Sequence, residues 1–232
     1  MSVREEREQR MKEPVTMAAL EADCAAAQGK LEEYLQTVDL ASEDEMKLMR
    51  AYMRWVVLKT DLIGREKAYS LPCAAVPGKV TVHDFMWLKQ DKQALFRRYY
   101  RQDANGFVLA VKRESIPQAD VDVMLHGTVL KRGGVVWVEF GYNIGNEFGG
   151  RHPAIILRNN KDSLLVVPLS SQVPSSAAQS VNVTVPNVYG FPKKTRYVNV
   201  LRTRWVSILR VDMSSTFGTV KGQVLTEIND RV

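Results

Sequence analysis

Cysteine is scarce in this chain of 232 residues. There are two, Cys24 and Cys73, far apart and at no metal-ligand spacing, so neither a disulfide framework nor a zinc site is expected. Cys24 falls on an apolar helical face and reads as a small core residue. Long apolar runs are lacking too: nothing approaches the roughly 18 residues of a membrane-crossing helix. The opening MSVREEREQRMKE is charged and holds no apolar signal region. These absences predict a cytoplasmic protein with no membrane partner. There are no internal repeats and no low-complexity tract. Of the three histidines, His83 and His126 have no motif around them, which leaves His152.

Hydrophobic residues at 45% and charged residues at 25% are ordinary for a globular chain long enough for one large or two small domains. The charge is unevenly divided. Residues 127–232 hold 13 Lys and Arg against 6 Asp and Glu, a balance of +7, whereas residues 1–126 hold 19 against 20, a balance of −1. A basic C-terminal part favours a polyanionic partner through phosphate contacts and counterion release.

The first half reads as helices. After a charged arm over residues 1–13, apolar residues recur at Met17, Leu20, Cys24, Ala27, Leu31, Leu35 and Val38 in steps of three and four, a heptad-like stripe. Ser42 with Glu45 forms a capping box, which predicts a second helix carrying Met46, Met49, Met53, Val56, Thr60 and Ile63 on one face. Together they predict a helical hairpin whose stripes either pack on each other or serve a dimer mate. Ser70 to Lys79 is a linker, a third helix is expected over Val82 to Arg101, and Asp103 to Gly106 should end it. Residues 102–130 are read as a connection with one short strand at Phe107 to Lys112.

The stretch KRGGVVWVEFGYNIGNEFGGRHPAIILRNNKDSLLVVPLSSQ, from Lys131 to Gln172, is a different text. Three runs of β-branched and aromatic residues, at Val135–Phe140, Ala154–Leu157 and Leu164–Leu169, are bounded by Gly, Asn and Asp, which predicts strands and turns. The loop between the first two is too long for a hairpin and rich in glycine, and long loops on a rigid sheet carry function. VNVTV at 181–185 alternates like another strand, and GFPKK at 190–194 is an exposed basic turn.

GNEFGGRHPAIIL resembles the signature loop and second strand of the MazF/PemK toxin family, a Ser-Glu-Gln-x-Gly-x-Arg-Pro pattern followed by an apolar strand. RGGVVWVEF is similar to that family's first strand, LLVVPLSSQ to its third, and the tail from Thr195 to Ile228 has its later order. The resemblance implies an SH3-like β-barrel of the MazF/PemK/CcdB type over 131–232; with the hairpin-rich helical region over 1–101 and the connection over 102–130 read above, the chain is expected to be α+β. It implies metal-independent cleavage of single-stranded RNA, no cofactor, an antitoxin partner and a homodimer.

Such cleavage needs a group to take the proton of a ribose 2′-OH, stabilisation of the charge developing on the phosphate, and a proton for the leaving 5′-oxygen. By register with the family, the candidate catalytic residues are His152, Arg151 and Ser170. Candidate RNA-binding residues are Glu147, Phe148, Gly149, Gly150, Ser171, Gln172, Arg202 and Arg204. Glycines let backbone approach a phosphate, Arg151 can pair one in bidentate fashion, and Phe148 offers a stacking face. Arg202, Arg204 and Arg210 alternate with apolar residues and suit either a phosphate track or a solvated edge. The family's catalytic Arg lies immediately before the Pro; here that position is His152. Either His152 has taken over the role, or Arg151 reaches in, or cleavage is lost. Adjacent strand residues point to opposite faces, which places His152 ahead of Arg151. Two other readings stand beside the ribonuclease: an inactive RNA- or protein-binding barrel with a helical dimerisation module, and a toxin acting on DNA gyrase as CcdB-like barrels do.

Overall fold

The computed structural model describes residues 16–142 and 148–232; the charged arm over 1–13 lies outside them. The chain divides into two compact units, Met1–Val57 and Leu58–Val232.

In the first unit, α1 (Met17–Thr37) starts where the Thr16 side chain accepts a hydrogen bond from the Ala19 amide, and α2 (Glu43–Arg65), which begins in this unit, starts where Ser42 does the same for Glu45. Glu45 reaches back to the Asp39 amide instead of closing the reciprocal box on Ser42. The ring of Tyr34 on α1 meets that of Tyr52 on α2 edge-on at 5.8 Å. The stripe of α1 is open: none of its residues is buried, and Cys24 is exposed where a core position was expected. In α2 the one buried residue is Met49.

The second unit opens with irregular turns and a three-stranded antiparallel sheet, β1 (Lys79–Val80), β2 (Tyr100–Asp103) and β3 (Gly106–Leu109), in the order β1-β3-β2. The single helix expected over 82–101 is two, α3 (Val82–Met86) and α4 (Gln90–Tyr99). Lys89 between them is extended, and the Gln93 side chain donates to the Leu88 carbonyl in place of helical backbone. Asp103 and Gly106 do not merely end a helix. They close the β2–β3 hairpin, with Asp103 accepting from the Asn105 amide. The supposed connection contains a helix, α5 (Gln118–Thr128), whose Val121, Met124 and Leu125 are fully buried.

The C-terminal part is an antiparallel sheet of eight strands: β4 (Gly134–Glu139), β5 (Arg151–Asn159), β6 (Ser163–Ser170), β7 (Asn182–Val185), β8 (Arg196–Asn199), β9 (Arg204–Ser207), β10 (Val211–Asp212) and β11 (Gly218–Thr219). Its main path runs β10-β4-β5-β6-β8-β7, with β11 also on β4 and β9 also on β6. A last helix, α6 (Gln223–Arg231), buries Leu225 and Ile228.

Strand alternation splits this sheet between two cores. Val136, Val138, Ala154, Ile156, Leu164 and Val166 face a core shared with Phe85, Phe96, Phe107, Leu125 and Leu130 from residues 71–130. Val135, Ile155, Leu157, Val167, Leu169, Val183 and Val198 face the other, closed by Leu225 and Ile228 of α6. The central strands are therefore apolar at nearly every position, as expected of strands covered on both faces. Gly133 is where the chain turns into β4 with φ +81°. A Cβ there would sit 2.6 Å from the Val220 carbonyl oxygen and 2.8 Å from Leu225, so only glycine fits.

Candidate active site

The β4–β5 connection is pinned at its base. The Phe140 amide donates to the Gly150 carbonyl and the Gly150 amide to the Gly141 carbonyl, continuing the ladder that pairs Val138 with His152 and Glu139 with Arg151. Gly150 takes φ +76°, which aims the chain from Phe148 into β5. Arg151 and His152 then fall on opposite faces.

Arg151 lies on the face of Trp137. Its guanidinium sits 4.5 Å over that ring, donates to an Asp212 carboxylate oxygen at 2.6 Å, and also reaches the Ser215 hydroxyl. Glu139 is a looser partner at 3.8 Å. Burial pushes the Asp212 carboxyl up, but hydrogen bonds from Ser214, Arg151 and Ser215 outweigh it and hold this acid well below the usual range. Glu139 goes the other way: burial raises it, Arg151 only partly compensates, and the Asp212 charge adds to the rise. Two carboxylates share one cation, and the nearer takes most of it.

His152 lies on the face of Val138 and is half-buried. Its ring is 4.5 Å from that of Phe148, which in turn meets Phe140 edge-on at 5.3 Å. Burial depresses the His152 imidazolium, a backbone hydrogen bond with Gly149 opposes this, and the Arg202 charge depresses it further; the net direction is down from the ordinary 6.5. The neutral ring, with a lone pair to accept a proton, is therefore favoured.

The basic segment closes around the same aromatics. The Arg202 guanidinium carbon lies 4.9 Å over the Phe148 ring and that of Arg204 5.8 Å over Phe140. Arg210 donates to the Phe140 carbonyl at 3.2 Å, and burial followed by the Arg204 charge lowers its affinity for a proton. Among the described residues, neither Arg202 nor Arg204 has a carboxylate partner. The Arg151 side differs in having Asp212 and Glu139 as partners.

A cleft of about 390 Å³ opens beside this cluster, lined by Phe148, Ser170, Gln172, Tyr197, Asn199 and Arg202 among others. Ser170 ends β6 with its hydroxyl accepting from the Gln172 amide at 3.0 Å. The β5–β6 register pairs Ala154, two residues after His152, with Pro168, two residues before Ser170.

Of the residues expected from sequence, Phe148, Gly149, Gly150, His152, Ser170, Gln172 and Arg202 gather at one place, with Arg204 one aromatic ring away. Arg151 is held on the opposite face. Ser171 is exposed and not among the cleft's lining residues. Glu147 lies outside the described residues. Tyr197, Asn182 and Asn199 also line the cleft. Sequence reading saw only an alternating strand at VNVTV; the signal available was polar asparagine recurring inside otherwise apolar runs.

Residues 131–232 match the family described as PemK-like, MazF-like toxin of type II toxin-antitoxin system. This segment is PemK/MazF-like. It is similar to the crystal structure of MazF (Form-I) from Deinococcus radiodurans at 21% identity, covering 44% of this chain and 90% of that one with a TM-score of 0.36. It is also similar to MazE-MazF (Form-II) from the same organism at 23% identity, covering 44% and 91% with a TM-score of 0.34. No curated protein matches. The cleft and the Phe148–His152–Arg202 cluster both lie within the PemK/MazF-like domain. The helices and small sheet before residue 131 lie outside it.

Proposed function

We propose that the chain is a sequence-selective endoribonuclease of a type II toxin-antitoxin system, cutting single-stranded RNA by attack of a 2′-OH without a metal ion. One observation carries the reading. A half-buried histidine whose burial favours the neutral ring stands beside an arginine with no carboxylate partner among the described residues, at a cleft with a hydroxyl and an aromatic face.

Neutral His152 takes the 2′-OH proton, the 2′-oxygen bonds to phosphorus, and the bond from phosphorus to the 5′-oxygen breaks. Arg202 offsets the charge growing on the non-bridging oxygens, with Ser170 as a hydroxyl donor beside it. The proton gained by His152 returns through solvent to the leaving 5′-oxygen. The products are a 2′,3′-cyclic phosphate and a 5′-hydroxyl end. We place Phe148 and Gln172 against the bases, Gly149 and Gly150 against the backbone, and Arg204 further along the strand. Arg151 we assign to holding β5 in place.

The proposal includes an SH3-like closure of the sheet, a cytoplasmic setting, an antitoxin partner in keeping with the family's description, and a homodimer. The open stripe of α1 supports the last. Among the described residues, no helix is long and apolar enough to cross a membrane. The second reading, a binding domain that has lost cleavage, is favoured by the histidine at the family's arginine position. Incubation of the full chain with a long single-stranded RNA in EDTA separates the two. Discrete cuts with 5′-hydroxyl ends are expected; intact RNA bound by the protein would favour the binding domain.

A further inference from the structure

We infer that Asn182 and Asn199 form a nucleobase-reading pair at the end of the cleft remote from His152, selecting the base next to the cut. The inference rests on the RNA-cleaving reading above for its biological sense, but the pair is defined by geometry alone.

The two residues are direct cross-strand partners on β7 and β8. Such partners carry their Cβ atoms about 5 Å apart on one face. Val183 and Val198 point the other way into the core, so both amides face the cleft that they line. Both are half-buried. Each is also half-satisfied. The Asn182 amide nitrogen donates to the Ala178 carbonyl at 2.6 Å, and the Asn199 amide oxygen accepts from the Leu201 amide at 3.0 Å. A carbonyl cannot donate and a backbone amide cannot accept, so the orientation of each side-chain amide is fixed. The amide atoms that have no partner at all among the described residues are the Asn182 oxygen, an acceptor, and the Asn199 nitrogen, a donor.

A nucleobase edge carries a donor and an acceptor side by side, and amide side chains are suited to pairing with it. The faces of the base are provided for as well. Phe148 and Tyr197 line the same cleft, and aromatic rings take any base by stacking. The volume, about 390 Å³, lies within the roughly 300–1,000 Å³ of small-ligand sites. Ser170 and Arg202 line it too, which sets the base beside the phosphate to be cut.

The test uses the full chain and the side-chain amide resonances of Asn182 and Asn199, titrated with each of the four ribonucleoside 5′-monophosphates. One base is expected to shift the Asn199 signal at concentrations where the others do not. Asn199→Asp keeps the oxygen that accepts from Leu201 and replaces the free donor with an acceptor. It should weaken the preferred nucleotide by roughly 5- to 150-fold, the span of one good base contact, with an unchanged melting temperature. Equal shifts with all four nucleotides, no shifts, or an unchanged preference in Asn199→Asp would overturn the inference. Because this readout is binding, it stands apart from cleavage. If the chain cuts RNA, the base beside the cut should match the one bound, and Asn199→Asp should redistribute the cuts. Cutting with an unaltered site pattern would refute the pair while leaving the ribonuclease intact.

Discussion

Arg151 and His152 are neighbours in the chain with opposite surroundings. Alternation along β5 sends one to a carboxylate-rich face and the other to an aromatic, cationic one. Charge alone would favour Arg151 as the phosphate ligand, but its charge is committed to Asp212 and Glu139 and its plane to Trp137. Arg151→Ala should therefore act on stability more than on chemistry. A partly exposed ion pair and a cation–π contact together contribute about 1 kcal/mol, visible as a lowered melting temperature, with RNA cleavage reduced less than tenfold. A loss of cleavage by orders of magnitude at unchanged stability would mean that Arg151 reaches the substrate.

At the scale of elements, the legible parts of the sequence were those where one period dominates. Strands β4, β5 and β6 stood out because burial on both faces makes them continuous apolar runs, and the Ser42 cap stood out because its chemistry is local. What was missed depends on tertiary contact. The break at Lys89 is stabilised by Gln93 reaching a carbonyl five residues back, and α5 is short, with Gly127 packed close to Leu88. Within the site, the loop register with a known family pointed to His152, Ser170 and Phe148. The Asn182–Asn199 pair was invisible because only β7–β8 pairing joins residues seventeen positions apart. Gly133 shows how tightly one element limits another: Gly133→Ala places a methyl against the Val220 carbonyl and Leu225. With φ positive as well, a cost of about 1–3 kcal/mol is expected, read as a shifted denaturant midpoint. Neutrality there would show that the entry to β4 can relax.

At the scale of the molecule, the PemK/MazF-like domain does not own its whole core. Val136, Val138, Ala154, Ile156 and Leu164 pack in one cluster with residues 71–130, and Asp84 of α3 accepts from both Lys131 and Lys221 at 3.0 Å. Burial raises the Asp84 carboxyl, but hydrogen bonds from Lys221, Thr81 and Lys131 more than reverse this. Cutting at residue 131 would expose an apolar sheet face and leave both lysines without their acid. Residues 131–232 alone should fail to give a cooperative thermal transition, whereas residues 58–232 should retain one. Cooperative folding of the shorter piece would contradict the shared core.

The central claim is that neutral His152 is the base. Its folded pKa lies below the ordinary 6.5, lowered by burial and by Arg202 against the pull of Gly149. The neutral, working form thus predominates above 6.5 and is lost as pH falls through the depressed value. The measurement that tests this most directly is the single-turnover cleavage rate against pH for the native chain, Arg202→Gln and His152→Ala. The account predicts an acid limb below 6.5 in the native chain, moved up toward 6.5 in Arg202→Gln. In His152→Ala it predicts no such limb and a rate lower by roughly 10²- to 10⁴-fold. Full activity in His152→Ala, with the native pH profile preserved, would contradict it.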